Sequence, residues 1–411
     1  MVGEMNIVYI TSEFVTEEQF GGLATYLENI TNIMKSNGHQ VTVITLSDKS
    51  GEMKYQNGIR VIRIRKKESD KLVSDFRRLI LQIKNSYQIY LKLKKMNRIE
   101  KIDLVQAANY QAVGLFRHYR IPTVVRASSD SAFWRNANNV RFDYEKTMTE
   151  KRMTDRLELL CIKLSDGVFA PSKCCADILE KRSGRKIQVL ESPYQNCSVQ
   201  LDDSIYKEEL YNKKYLLFNS SLSMLKGTHL GIRTAEKIME KYPELYMVYA
   251  GIDYGLAGSK KSIASILDSQ NKKYQGRVKY LHRLPREQLF PVIEHAVACV
   301  LPSRIDNLPN SCIEAMALGK IVIGTYGASF EQLIKNKENG LLIKRDSEKA
   351  LIRAVDYLMN MTEEEYTDMG ELAKVTVERL SPDIVYRNMI NYYENVIKAY
   401  NWKRLMIKKI W

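Results

Sequence analysis

Long apolar runs, paired cysteines, clustered histidines and internal repeats are all missing from this 411-residue chain. No stretch approaches the roughly eighteen apolar residues of a membrane-spanning helix, and the amino terminus enters the polar segment Thr11 to Gln19 too early for a signal peptide. Any association with a membrane is therefore expected to be peripheral. The six cysteines, Cys161, Cys174, Cys175, Cys197, Cys299 and Cys312, form no CxxC pair and sit mostly in apolar segments. That usage predicts buried, reduced thiols and a cytosolic compartment. The five histidines, His39, His118, His229, His282 and His295, are scattered, so neither a catalytic metal nor a resident cofactor is expected.

Positive charge, by contrast, is abundant. Lys and Arg number 63 against 48 Asp and Glu, a formal +15. The balance favours partners that carry phosphate, whether nucleic acid, anionic lipid or a phosphorylated substrate, and cannot choose among them.

At 47.6 kDa the chain exceeds one ordinary core and suits two domains. Asn6 to Thr11 and Val41 to Leu46 read as buried strands, and Leu23, Leu27, Ile30 and Met34 recur between them at helical spacing. Tyr55 to Gly58 with Ile59 to Ile64 reads as a further strand, followed by Leu104 to Ala107, Thr123 to Arg126 and Gly167 to Ala170. The second half repeats the logic with Leu216 to Asn219, Met247 to Ala250, Val278 to Leu281, Cys299 to Leu301, Ile321 to Ile323 and Leu341 to Ile343. Strands alternating with helices imply two doubly wound α/β domains. The polar stretch Tyr194 to Asn212 marks the hinge, giving domains at 1–200 and 201–382, with a helix beyond Pro382 running to the end.

The most informative segment is Asp306 to Val322, DNLPNSCIEAMALGKIV. It sets two carboxylates, Asp306 and Glu314, eight positions apart across a polar turn and the start of a short helix, with Ser311 as the expected cap and Gly319 as its stop. Taken alone, Glu314 is a charge at a helix start, favoured by the N-terminal dipole. The whole string resembles the acidic-x7-Glu motif of retaining, nucleotide-sugar-dependent glycosyltransferases of the GT-B type, family 4, although the usual first residue is Glu rather than Asp306. The resemblance implies two facing Rossmann-like domains with the ligand between them, the last helix, about 383–411, returned to the first domain. It also implies a first domain for the acceptor and a second for the donor.

Other segments fit the same family in the expected order. GGLATYLENITNIMKSNGHQVTVIT, Gly21 to Thr45, looks like its opening, where Gly21 and Gly22 would let backbone amides approach donor phosphate at a helix N-terminus. LSMLKG, Leu222 to Gly227, resembles its Arg-x4-Lys-Gly element, which implies that Lys226 meets the diphosphate as the sugar bond breaks. Ser221 stands where the Arg is usual, and Arg304 or Arg126 is the expected source of the missing charge. By the same resemblance Glu314 holds the ribose hydroxyls, Asp306 lies at the donor sugar, and the loop Asn307, Leu308, Pro309, Asn310 holds hydroxyls or phosphate oxygens through its amides, Pro309 excepted. Gly324 to Ala328, Glu331 and Asn339 to Leu342 fit the element that closes the nucleotide site.

PTVVRASSDSAFW, Pro122 to Trp134, corresponds to the place where many relatives carry a His-Asp pair; here Ser128 and Ser129 stand beside Arg126 and Asp130 on the acceptor or sugar side. Serine is a poor base near neutral pH, so no protein general base is assigned, and a front-face transfer can hand the acceptor proton to the departing phosphate. No Asp-x-Asp motif of the GT-A type is present.

From Lys71 to Lys101 nine basic residues face two acidic ones, and Leu72, Phe76, Leu79, Ile80, Ile83, Tyr87, Tyr90 and Leu91 form an apolar stripe at helical spacing. With Lys398, Lys403, Arg404, Lys408 and Lys409 among Trp402, Ile407, Ile410 and Trp411, the stripe suits both core packing and an anionic lipid surface. The reading that absorbs most features is a retaining glycosyltransferase using a nucleotide-diphosphate sugar and a saccharide acceptor, lipid-linked, at the cytoplasmic face of a membrane. A sugar-nucleotide epimerase of the same fold and a non-catalytic membrane- or nucleic-acid-binding protein are the alternatives. No nucleic-acid module signature is visible, and nucleic acid is not an expected partner.

Overall fold

The computed structural model describes residues 3–17, 21–66, 75–142, 152–195 and 200–410. The chain divides into two compact units, one of Met1–Ala132, Met148–Gln195 and Leu380–Trp411, the other of Phe133–Thr147 and Asn196–Arg379. The boundaries 1–200 and 201–382 make no allowance for Phe133–Thr147, a segment of the first half that groups with the second unit.

Unit 1 is built on strands β1 (Asn6–Thr11), β2 (Gln40–Ser47), β3 (Gly51–Tyr55), β4 (Ile59–Arg65), β5 (Leu104–Ala108), β6 (Thr123–Arg126), β7 (Gly167–Ala170) and β8 (Gln188–Val189). Its helices are α1 (Gly22–Ser36), α2 (Asp75–Ile99), α3 (Ser131–Ala137), which runs on into unit 2, α4 (Met153–Leu164) and α5 (Lys173–Ser183). The sheet order is β3-β4-β2-β1-β5-β6-β7-β8, and every pairing is parallel except β3 with β4. Alternation along β1 sends Val8 and Ile10 into a core shared with α2, α4 and α5, and Ile7 and Tyr9 into one shared with α1.

Unit 2 carries β9 (Lys214–Asn219), β10 (Leu245–Ala250), β11 (Val278–Tyr280), β12 (Ala298–Val300), β13 (Val322–Thr325) and β14 (Leu341–Ile343) in the order β11-β10-β9-β12-β13-β14, all parallel. Its own helices are α6 (Thr228–Lys241), α7 (Ile263–Lys273), α8 (Arg286–Glu294), α9 (Asn310–Ala317), α10 (Glu348–Met359) and α11 (Glu363–Glu378). The last helix, α12 (Pro382–Ile410), belongs to unit 1, where Val385, Met389 and Tyr393 join the core of Ile7 and Tyr9. The Tyr393 hydroxyl donates to Gln106 Oε1 at 2.5 Å, fixing α12 against β5.

Three local readings are corrected. Tyr55 to Gly58 does not extend the next strand: β3 ends at Tyr55 and a tight turn reverses the chain, with Asn57 at φ 57° and Gly58 at φ 75°. Asn-Gly suits such a turn because both residues tolerate left-handed backbone. Ser311 is not the cap of α9, which starts one residue earlier behind Pro309 and has no side-chain cap. The stripe on α2 is also misplaced. Ser86, Ile89 and Leu93 face the core, whereas Phe76, Tyr87 and Leu91 are exposed. Leu72, Cys197 and the side chains of Ile407 to Trp411 lie outside the described residues. The other five cysteines are free thiols, four of them buried.

Candidate functional site

In unit 2, β9 pairs with β10 on one side and with β12 on the other, so the chain reverses its direction of travel across the sheet between β9 and β12. Loops leaving such a pair diverge and open a crevice at the carboxyl ends of the strands. The loop after β9 carries Lys226 and the loop after β12 carries Asp306, and their side chains meet there, Nζ to Oδ2 at 2.5 Å. Gly227 makes this approach feasible: it takes φ 73°, and a Cβ would run into the carbonyl oxygen of Pro302.

Asp306 is held from several directions. Ser303 Oγ donates to Oδ2 at 3.1 Å, the Asn307 amide to Oδ1 at 2.9 Å, and Ser329 Oγ to the Asp306 carbonyl at 2.7 Å. The Asn307 amide expected to face a ligand is thus turned onto its own neighbour. Leu308 is buried with φ 50°, a left-handed backbone that costs a non-glycine residue on the order of 1 to 2 kcal/mol. Pro309 precedes α9 and Asn310 opens it.

Glu314 lies in α9 and is 7% exposed. Burial pushes its carboxyl above the usual range, against the pull of the Arg286 guanidinium beside it. Arg286 Nε and Nη2 both donate to Oε1, at 3.1 and 2.6 Å. Nothing in the sequence marks Arg286, 28 positions away at the start of another helix.

Arg304, one expected substitute for the missing cation, is already engaged. Arg304 Nε lies 3.0 Å from Asp346 Oδ1, and Nη1 donates to the carbonyls of Ala137 and Asn139 in the segment contributed by the first half of the chain. His229 Nε2 also meets Asp346 Oδ1 at 2.9 Å. Burial raises the Asp346 carboxyl, but the hydrogen bonds from His229 and Arg304 outweigh it and hold it below the ordinary range. The hydroxyl of Ser221 forms no hydrogen bond among the described residues, though the Ser221 carbonyl accepts from Ser220 Oγ at 3.5 Å. Asn339 is a staple of the fold: it donates to the Leu333 carbonyl and Thr376 Oγ1 and accepts from the Lys335 amide.

Unit 1 presents a different set. The Gly21 amide, expected to face donor phosphate, donates to Glu13 Oε1 at 3.3 Å. An internal carboxylate therefore sits at the N-terminus of α1, opened by Gly22. Burial raises the Glu13 carboxyl despite the amides of Gly21 and Ala24. Glu13 also lines a cavity of about 290 Å³ with Ser12, Glu17, Ser47, Arg63 and Lys66. The signal for it was an acid in the loop just before the glycines.

Arg126 is buried, with its guanidinium 3.8 Å from the centre of the Tyr26 ring and Nη2 donating to Ser192 Oγ at 3.0 Å. Its Nε has no partner, and no carboxylate pairs with it among the described residues. Burial lowers its pKa. The Ser128 amide donates to Asn109 Oδ1 and the Ser129 carbonyl accepts from Asn109 Nδ2, so Asn109 fixes this loop through its backbone. Asp130 forms a buried ion pair with Arg182. Glu158, unremarked in the sequence, accepts from Ser131 Oγ and from the Gln111 amide, and burial pushes its carboxyl up to about 7.

Among the described residues no group of three or more His, Cys, Asp and Glu could hold a metal ion, and no helix is long and apolar enough to cross a membrane.

Two family models match the chain: Glycosyltransferase Family 4 over residues 20–193 and Glycosyl transferases group 1 over residues 203–376. D-inositol 3-phosphate glycosyltransferase of Corynebacterium urealyticum is 23% identical over 185 residues, covering 44% of this chain and 43% of that protein. The match therefore spans less than half the length of this curated relative. Among solved structures, sucrose-phosphate synthase from Thermosynechococcus elongatus superposes with a TM-score of 0.73 at 16% identity, covering 96% of this chain and 100% of that one. HepE of Anabaena, in complex with UDP and glucose, gives 0.70 at 15% identity, covering 95% and 100%. Both likenesses are of fold. With the two models matching successive halves and two Rossmann-like sheets behind them, the chain belongs to the group 1, family 4 glycosyltransferases of GT-B fold.

Proposed function

We propose that the protein is a retaining glycosyltransferase that moves a sugar from a nucleoside diphosphate to an acceptor hydroxyl. The observation that carries this reading is the pairing of Lys226 with Asp306 at the β9/β12 reversal, with Glu314 eight residues further on. In the proposed step the bond between the anomeric carbon and the diphosphate oxygen breaks as the acceptor oxygen bonds to the same face of that carbon. The acceptor proton passes to the departing phosphate oxygen, and no side chain need act as base. Lys226 offsets the charge that grows on the diphosphate, the kind of interaction that is strongest in the transition state. Asp306 addresses the sugar, Glu314 the ribose, and the loops bearing Gly21, Gly22, Ser221 and Asn307 to Asn310 line the donor. Arg126, Ser128 and Ser129 belong to the acceptor side. HepE, of the same fold, was seen with UDP and with UDP-glucose, which supports a nucleotide-sugar donor.

A lipid-linked saccharide at the cytoplasmic face of a membrane, in surface polysaccharide or glycan biosynthesis, is the acceptor we favour. Support comes from an aromatic surface on unit 1, where Tyr87 and Tyr119 are exposed, His118 is buried and the Arg120 guanidinium lies 5.2 Å from the centre of the Tyr119 ring. Tyr87, Tyr90, His118 and Tyr119 form a ladder of ring contacts at 5.9, 6.3 and 5.3 Å. The Tyr400 hydroxyl donates to the Tyr119 carbonyl, linking the ladder to α12 and its exposed Trp402. Aromatic rings among cations suit an anionic headgroup layer.

The test is a screen of nucleotide sugars with a membrane lipid extract, read by mass spectrometry of the product, beside thermal shifts with UDP and GDP. A transferase is stabilised by one nucleotide, whereas a membrane binder without chemistry responds to neither. Glu314→Gln should weaken donor use by about 1.5 to 3 kcal/mol, the worth of hydrogen bonds to a charged group. Unchanged turnover in the folded variant argues against the ribose role.

A further inference from the structure

We infer that Arg286 is a positioning residue that presets Glu314 for the two adjacent hydroxyls of the donor's ribose, a role that rests on the reading of Glu314 given above. Both described donors of the guanidinium, Nε at 3.1 Å and Nη2 at 2.6 Å, converge on one oxygen, Oε1. A carboxylate oxygen has two lone pairs, so these two N–H groups fill Oε1. Oε2 accepts no hydrogen bond among the described residues, although the Glu314 side chain is only 10% exposed. One oxygen of this mostly buried carboxylate is thus satisfied twice, while the other keeps contact with solvent and is open to a ligand's donors. Two vicinal hydroxyls supply the matching pair of donors to that single oxygen.

The placement of Arg286 fits the role. It is the first residue of α8, while Glu314 sits midway along α9. The pair thus joins two helices, and its other possible meaning is a staple between them. A staple explains the contact but not its one-sidedness: a guanidinium clamping for stability alone pairs best fork to fork, one donor to each oxygen. Here the second oxygen is left open. Opposite charge beside Glu314 also favours the ionised form, which accepts from both hydroxyls, against the pull of burial.

The experiment compares UDP and GDP with their 2′,3′-dideoxy analogues by calorimetric titration of the full chain, in the unaltered protein and in Arg286→Ala, Arg286→Lys and Glu314→Gln. The unaltered protein should prefer the ribonucleotide by about ten- to a hundredfold. Arg286→Ala should shrink that preference several-fold while dideoxynucleotide binding stays within about twofold, and Arg286→Lys should restore part of it. Equal weakening of both nucleotides overturns the inference, because the guanidinium then touches base or phosphate directly. So does an undiminished preference in Arg286→Ala. Where Glu314→Gln abolishes the preference and Arg286→Ala keeps it, only the role of Arg286 falls. A protein that never discriminates between the two nucleotides sinks the ribose reading together with the inference. Should Arg286→Ala fail to fold by circular dichroism, Arg286→Lys carries the same comparison.

Discussion

The two units handle buried charge in opposite ways. In unit 2 the acids of the candidate site are matched with cations: Asp306 with Lys226, Glu314 with Arg286, Asp346 with Arg304 and His229. In unit 1 Glu13 and Glu158 are held by amides and a hydroxyl, and Arg126 by an aromatic face and a serine, although Asp130 with Arg182 and Glu17 with Arg63 are paired there too. Hydrogen bonds from neutral donors offset less of the desolvation cost than an opposite charge does. The acids reflect burial as well as pairing: Glu13, Glu158 and, despite Arg286, Glu314 are pushed up by burial, whereas Asp346 is held down by its partners. Paired charges give unit 2 cations that suit an anionic ligand such as a diphosphate. Unpaired ones leave unit 1 dependent on pH or on what binds it.

The sharpest way to break this contrast is to remove a cation from the paired side. Lys226→Ala should slow transfer by roughly a hundredfold or more, since a single positioned donor to developing charge is commonly worth that much. Its effect on stability should be smaller than its effect on rate, because Ser303 and the Asn307 amide still hold Asp306. Initial rates set beside thermal midpoints decide the matter. Parallel losses of rate and stability would make Lys226 a structural lysine.

The unpaired side predicts a pH effect of known sign. Glu158 has its folded-state pKa raised to about 7 from 4.5, so the folded protein binds the proton more tightly than the unfolded chain. The cost of this group is absent below the unfolded value, accumulates as pH rises through 4.5 to 7, and is complete above that. The shift corresponds to about 3 kcal/mol. Glu158→Gln mimics the protonated acid and can still accept from Ser131 and Gln111, so it should match the unaltered protein near pH 4.5 and exceed its stability at pH 8. Denaturant midpoints at the two pH values test this, and an equal difference at both would show that Glu158 is not the titrating group.

Much of the fold was legible because parallel strands covered on both faces read as unbroken apolar runs; Lys214–Asn219 and Leu245–Ala250 are buried along nearly their whole length. The edge strand Gly51–Tyr55 was not, because it is largely exposed and its alternation, Glu52-Met53-Lys54-Tyr55, spans only four residues. The same distinction holds in the site. Asp306 and Glu314 share one turn and one helix, so their spacing shows them together. Arg286 meets Glu314 across 28 positions, and Glu158 meets the Gln111 amide across 47. Such partners are set by how helices stack on the sheet, which periodicity along one element does not encode. The amides expected at a phosphate are a different case. Gly21 and Asn307 are correctly placed in their loops, but nearby carboxylates have taken their N–H groups.

The smallest effect concerns the cation that the motif in unit 2 lacks. Ser221 stands where the resembling motif has Arg, leaving Lys226 as the cation of that loop. Arg304 cannot move to the phosphate without abandoning Asp346 and two carbonyls. If unit 2 works by offsetting a fixed diphosphate charge, Ser221→Arg should tighten UDP or GDP binding by up to about fivefold, the worth of a partly exposed ion pair of roughly 1 kcal/mol. The gain should shrink as salt rises past about 0.1 M, where such pairs are screened. A gain that ignores salt would point to altered packing in the loop. Weakened binding would mean that the space beside Ser221 serves something other than the phosphates, and the account of unit 2 as a charge-matched donor site would need another explanation for its missing cation.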